Sequence, residues 1–249
     1  MQKYYHHYEK SYEKFTPDWF DAENLKVINN FLNENTESLK KFIHSYLDQF
    51  ELSTQIFNQK KVLIVGCGLG GLSLYFEKLG AIVTAIDVSR LAIMGAKQIA
   101  GLKNADINYQ VLDICQGELD DKFDFIIDDH LYHCLTTQTD RDSYLSFVQS
   151  HLEPDGQFFM ESMSYHNEIQ TPVGYSFDEN NILWKDIDGD EIMIRKIATS
   201  LDIEEEVKRS SLAINYLYYH SELAFDVFSD YKNYPFQFLP RTLRLIAKR

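Results

Sequence analysis

Gly66-Cys67-Gly68-Leu69-Gly70-Gly71 follows one apolar run and opens a helical pattern. Glycines in that place let the chain turn tightly and let a ligand lie against the main chain. The free N–H groups of the helix beyond suit a negatively charged group. Asp87 ends the next apolar run, where a carboxylate can accept hydrogen bonds from ribose hydroxyls. A third group, Asp129, His130 and His133, follows another apolar run at 123–129. Histidine is the side chain suited to moving protons near neutral pH, and the C-terminal end of a strand is where open α/β sheets seat ligands. The chemistry on offer is therefore nucleotide-like cofactor binding beside a proton-transfer centre.

The elements that must position these groups alternate. Short apolar runs at 61–65, 81–87, 107–113, 123–129 and 157–163 read as strands. Between them, Leu72, Tyr75, Phe76 and Leu79 share one helical face, and so do Ala92, Ile93, Ala96 and Ile99 behind a Ser89 cap. Tyr144, Phe147, Val148 and Leu152 form another such face, and Pro154-Asp155-Gly156 reads as a turn. Such alternation predicts an α/β fold, a doubly wound, mostly parallel sheet. Residues 1–58 contain no glycine and carry helical patterns at 24–32 and 38–50, with a break at Thr16-Pro17. They are expected to form an N-terminal helical cap on a main domain at 59–249. Within that domain, residues 164–200 read as an insert, a β-hairpin with strands at 181–185 and 191–196. A charged helix at 203–210 and strands at 213–221 and 242–247 complete the chain.

Composition narrows the function. A chain of 249 residues accommodates one sizeable core. The net charge of −14 repels a phosphate backbone, and no basic cluster offsets it, so nucleic acid is not expected as a partner. Cys67, Cys115 and Cys134 are odd in number and scattered, which argues against a disulfide framework and for a reducing compartment. No signal-peptide core or membrane-length apolar run is visible, and the cytoplasm is the expected location. Asp128, His130 and His133 lack convincing metal-ligand spacing. Asp186, Asp188 and Asp190 surround Gly189 too early for a calcium loop, so they read as a turn and no metal is expected.

The glycine spacing alone also satisfies the dinucleotide fingerprint through Gly66, Gly68 and Gly71. The rest of the chain resembles the class I S-adenosylmethionine-dependent methyltransferases. VLIVGCGLG (62–70) is similar to their first motif, AIDVS (85–89) to the second, YQVLDI (109–114) to the third and FDFIIDDHLYHCL (123–135) to the fourth. HLEPDGQFFM (151–160) and PRTLRLIAKR (240–249) resemble a later turn and strand and the final strand. The family often carries an acid two places before the first glycine, where this chain has Ile64, and Pro-Gly-Gly where it has Pro154-Asp155-Gly156.

The resemblance implies a seven-stranded sheet with an antiparallel last strand and S-adenosyl-L-methionine as cofactor. The cofactor would be held by Gly66, Cys67, Gly68, Gly70, Asp87, Val88, Asp113, Ile114 and Asp128. It further implies methyl transfer by in-line displacement, which rests largely on positioning. A base is needed only for an acceptor that arrives protonated, and His130, His133 and Asp129 are the candidates. The N-terminal segment of such enzymes covers the cofactor, which places Tyr8, Tyr12 and Trp19 at the substrate, with Tyr4, Tyr5 and Phe20 in the same aromatic group. Tyr165, His166 and Trp184 join them by their position in the insert. A small-molecule acceptor fits the compact, acidic chain. A protein or RNA acceptor, a non-catalytic scaffold and a nicotinamide oxidoreductase remain alternatives, and the oligomeric state stays open.

Overall fold

The apolar run at 61–65 becomes β1 (Lys61–Val65), buried at every position after Lys61, as expected of a strand covered on both faces. A computed structural model describes residues 6–15, 19–225 and 234–249 of the chain; Tyr4, Tyr5 and the Thr16-Pro17 break lie outside these. The chain begins with α1 (His6–Tyr12) and α2 (Leu25–Gln49), then continues through β1, α3 (Gly71–Lys78), β2 (Ile82–Asp87), α4 (Arg90–Lys103), β3 (Asn108–Val111) and β4 (Phe123–Asp128). Next come α5 (Gln138–His151), β5 (Leu152–Ser164), β6 (Tyr175–Phe177), β7 (Ile182–Ile187) and β8 (Asp190–Lys196). The last elements are α6 (Ser200–Arg209), β9 (Ala213–His220) and β10 (Arg241–Lys248).

The main sheet has seven strands in the order β3-β2-β1-β4-β5-β10-β9. β1 pairs in parallel with β2 and β4, and β10 runs antiparallel to β5 and β9. The order reverses between β1 and β4, so the ends of these strands splay apart into a crevice. Ile86 and Asp128 are both Val65's register partners. The glycine loop, Asp87 and the 129–135 segment thus emerge at one edge.

Helices cover both faces. On one, Phe42 and Tyr46 of α2 meet Phe159 of β5, and much of the aromatic content is spent in this core. On the other, Tyr144 of α5 and Ile203 of α6 pack in a cluster with Leu63, Phe158 and Leu245. Ser89 caps α4, accepting from Ala92 N at 3.0 Å.

Three expectations are corrected. The helical patterns at 24–32 and 38–50 are one 25-residue helix, because the polar stretch between them contains neither glycine nor proline. The expected hairpin forms as the antiparallel pair β7–β8, but a third strand, β6, extends it to a sheet in the order β6-β7-β8; β6 is only three residues long and too short to show a period. The Pro154-Asp155-Gly156 turn is absorbed within β5, whose register to β4 jumps from Phe123↔Leu152 to Phe125↔Gln157. The acidic turn at 186–190 is a two-residue connection through Asp188 and Gly189, both at positive φ, with Gly189 N donating to Asp186 at 2.9 Å. No metal-ligating cluster occurs among the described residues.

A buried ion pair supports the segment after β4. Arg141 of α5 bonds Glu206 of α6 at 2.5 Å and the Tyr132 carbonyl at 3.1 Å, while the Tyr132 hydroxyl donates to Glu206 at 2.7 Å. Glu206→Ala leaves Arg141 buried and uncompensated, so it is expected to cost about 3–5 kcal/mol. Urea unfolding of the two proteins side by side checks this, and a loss under about 1 kcal/mol would mean that solvent reaches the pair.

Candidate functional site

Asp87 closes β2 with its carboxylate turned toward the glycine loop. Gly68 N donates to Oδ2 at 2.9 Å and Ser89 N to Oδ1 at 2.8 Å. Each carboxylate oxygen retains a second acceptor site. Burial pushes this carboxyl's pKa up, against the pull of those N–H donors. The loop itself turns through Gly66 and Gly68 at positive φ. A Cβ at Gly68 would lie 2.9 Å from the Tyr12 hydroxyl, so the main chain is bare where α1 crosses it. Gly70, also at positive φ, is the N-cap of α3, whose first residue, Gly71, lines a cavity beside the loop.

Three adjoining cavities line this edge. The smallest, about 40 Å³, lies between Val88, Leu112, Asp113, Ile114 and Leu135 and reaches Asp87, a mostly apolar slot with two carboxylates in its lining. A second, about 160 Å³, runs along Gly66, Cys67 and Gly68 to Asp129, under Tyr12 and Asn35. The largest, about 330 Å³, shares Gly66, Asp87, Asp129 and His130 with its neighbours and extends to His133 and Arg195. Together they fit the cofactor the resemblance implies. The apolar slot would take the adenine, Asp87 a ribose diol, and the bare glycine loop with the α3 N-terminus a carboxylate-bearing tail.

Asp128 and Asp129 take opposite roles. Asp128 is fully buried and lines none of these cavities. Leu131 N donates to it at 2.5 Å, Tyr132 N at 3.1 Å and the Tyr144 hydroxyl at 2.7 Å. Its geometry is that of a carboxylate folding the loop. Asp129 lines two cavities, and burial raises its pKa to about 7 although His130 opposes the shift.

His130 adopts a left-handed backbone conformation, φ 63°. This turns the ring back so that Nε2 lies 2.8 Å from Glu161 Oε1 and Nδ1 4.0 Å from Asp129 Oδ1. Burial alone would lower its pKa, but the Glu161 hydrogen bond and the charges of Glu161 and Asp129 outweigh it, and the net shift is upward. His133 lies deeper, 3.4 Å from Met163 N. Burial and the Arg195 charge hold it well below its ordinary value, so it stays neutral.

Of the aromatic candidates, Tyr8 and Tyr12 line the large cavity. The Tyr8 hydroxyl donates to the Ile194 carbonyl of β8 at 2.9 Å, so α1 bridges to the insert. The other four lie elsewhere. Trp19 packs on Phe15 and Phe31, and Tyr165 packs with Phe177. His166 bonds the Leu239 carbonyl at 2.6 Å, and Trp184 donates to Asp178 at 3.1 Å. The sequence reading missed Glu161, Arg195 and Phe225. The charge of Glu161 within a buried strand was the one available signal.

The family model described as "Tellurite resistance protein TehB" matches residues 23–196. A curated relative from Haemophilus influenzae, "Probable S-adenosyl-L-methionine-dependent methyltransferase TehB", is 26% identical over 125 residues, which are 50% of this chain and 43% of that protein. A "Ubiquinone biosynthesis O-methyltransferase" from Pasteurella multocida is 30% identical over 166 residues, 61% of this chain and 62% of that protein. The chain thus spans about half the length of the curated relatives it matches. The solved structure of an S-adenosylmethionine-dependent methyltransferase from Clostridium acetobutylicum superposes with a TM-score of 0.61 at 18% identity, covering 85% of this chain and 91% of that one. At that identity the likeness speaks for the fold.

Proposed function

The chain belongs to the TehB family, whose relatives carry methyltransferase names, and from that premise we propose that it transfers a methyl group from S-adenosylmethionine to a small-molecule acceptor. The observation that carries the reading is the run of joined cavities from Asp113 past Asp87 and the glycine loop to Asp129 and His130. When bound, the cofactor supplies a methyl group on a sulfonium, open to in-line attack. The protein's own residues bind and align. Asp87 accepts from the ribose hydroxyls, Val88 and Ile114 flank the adenine, and Gly66 and Gly68 leave room for the tail. The Asp87 carboxylate, joined by Asp129 as it ionises, gives the large cavity a negative field that favours a cation, and the aromatic Tyr12 lies in the same lining.

The Pasteurella relative is named for O-methylation. A hydroxyl acceptor must lose its proton, and the Asp129–His130 pair at the large cavity is placed to take it. A small acceptor matches a cavity of about 330 Å³ and the acidic chain. No helix among the described residues is long and apolar enough to cross a membrane. The three free cysteines accord with action in the cytoplasm.

Calorimetric titration with S-adenosylmethionine, S-adenosylhomocysteine and NADH tests the reading. Micromolar binding of the first two is expected. Binding of NADH alone would overturn it in favour of an oxidoreductase, and binding of none in favour of a scaffold.

A further inference from the structure

Resting on the methyl-transfer reading, we propose that Glu161, clamped by Arg244, is a positioning residue that holds His130 with its Nε2 proton inward and its Nδ1 lone pair toward the acceptor. Glu161 and Arg244 are register partners on β5 and β10. The carboxylate is divided: Oε1 faces His130 Nε2 at 2.8 Å, and Oε2 accepts from Arg244 Nε at 2.6 Å. Arg244 is fixed in turn, its Nη2 donating to the Ser38 carbonyl and hydroxyl of α2 at 3.2 and 3.1 Å. A carboxylate tied at both oxygens cannot swing away from the imidazole.

Burial separates the roles. The Glu161 side chain is 0% exposed and lines none of the three cavities, whereas the His130 side chain is 18% exposed and lines two. Phe225 stacks on the His130 ring at 4.1 Å and 19°, fixing the remaining freedom of the ring plane. An ionised Glu161 accepts only, so the nitrogen facing it carries the proton and Nδ1 is left basic. The Arg244 charge and the His130 contact hold the Glu161 pKa down despite burial, so it stays ionised when the imidazole charges.

The step balances without a co-reactant. The acceptor's hydrogen would pass as a proton to Nδ1, and its bonding pair would stay on the acceptor to form the new bond to the methyl, the pair of the broken sulfur–carbon bond remaining on the cofactor's sulfur and cancelling its charge. The imidazolium then loses its proton to solvent. The charged and titratable groups facing His130 are Asp128 and Asp129 on its own segment, His133 on the next turn, Glu161 from β5 with Arg244 behind it from β10, and Tyr12 from α1, which lines the same two cavities.

Long-range proton–nitrogen NMR of the histidine rings in the full chain tests the arrangement, with the His130 signals assigned by their loss in His130→Gln. The expected result is an Nε2–H tautomer and a titration midpoint above 6.5, the usual value. In Glu161→Gln the midpoint falls by about one pH unit or more. Its kcat falls at least about tenfold, and its acidic limb moves to lower pH with acceptor KM little changed. An Nδ1–H tautomer in the wild type, or a Glu161→Gln loss of kcat with an unmoved pH profile, would overturn the proposal. The wild-type signals need neither a variant nor a ligand, so they decide this claim even if Glu161→Gln fails to fold. S-adenosylhomocysteine binding decides the underlying reading separately.

Discussion

His130→Gln is expected to lower kcat by about 10²- to 10⁴-fold, the range a positioned general base contributes, while S-adenosylhomocysteine binds as before. Glutamine fills much of the ring's space and can still bond Glu161, so the loss reads chemistry and not collapse. The wild-type enzyme should show kcat rising with pH. The base must be deprotonated, and the His130 pKa is raised above 6.5 once its carboxylate neighbours outweigh burial. Asp129, pushed by burial to about 7, lies 4.0 Å away, so the two titrate as a pair with apparent midpoints that belong to both. His130→Gln should flatten that rise. A variant that keeps kcat within about threefold of wild type, well inside the loss expected of a base, would mean that the acceptor arrives already deprotonated.

His130 and its partner Glu161 link activity to stability with opposite sign. A raised His130 pKa stabilises the fold fully below the ordinary value of 6.5 and ceases to do so as pH climbs through the folded value. A lowered Glu161 pKa stabilises it above the ordinary 4.5, and that contribution disappears as pH falls through the folded value. The joint contribution is therefore complete between about 4.5 and 6.5, below the pH at which turnover is fastest. Denaturant midpoints of wild type and His130→Gln should differ most inside that window and converge above it.

Asp87→Ala is expected to weaken S-adenosylhomocysteine binding by about 10²- to 10⁴-fold. Two charge-assisted hydrogen bonds to a ribose diol are worth about 1.5–3 kcal/mol each, and about 1.4 kcal/mol is a factor of ten. The variant also releases the Gly68 and Ser89 N–H groups that the carboxylate holds, so loosening of the loop adds to the loss. Calorimetry with the demethylated cofactor separates binding from turnover. Unchanged affinity would place the nucleotide somewhere other than beside β2.

That the glycine loop and Asp87 come together could be read from the sequence because the parts are local. A strand, a glycine loop and a helix are consecutive, and Asp87 ends the very next strand, so spacing along the chain mirrors spacing in space. Glu161 and Arg244 meet only through the pairing of β5 with β10, and no period in either segment announces the partner. Asp128 and Asp129 are adjacent and identical, yet one folds the loop and the other faces the cavities. That choice is made by Tyr144 and the two N–H groups that claim Asp128. The insert misled for a related reason. Its tyrosine, histidine and tryptophan look like pocket residues by type, but Tyr165 packs with Phe177, His166 answers the Leu239 carbonyl and Trp184 answers Asp178. Arg195, a plain surface residue by type, turns into the cavity instead.

The large cavity is walled by α1, the 129–135 segment, β8 and Phe225 as well as Gly66, Asp87 and Val88, pieces scattered over more than two hundred positions, whereas the small apolar slot is bounded within residues 66–135. The two halves of the cleft are thus inherited differently. Arg195 of β8 reaches the large cavity without lining the small slot, whereas α1 brings Tyr12 against the glycine loop at Gly68. Most single changes between Gly66 and Asp113 strike a unit that every acceptor needs.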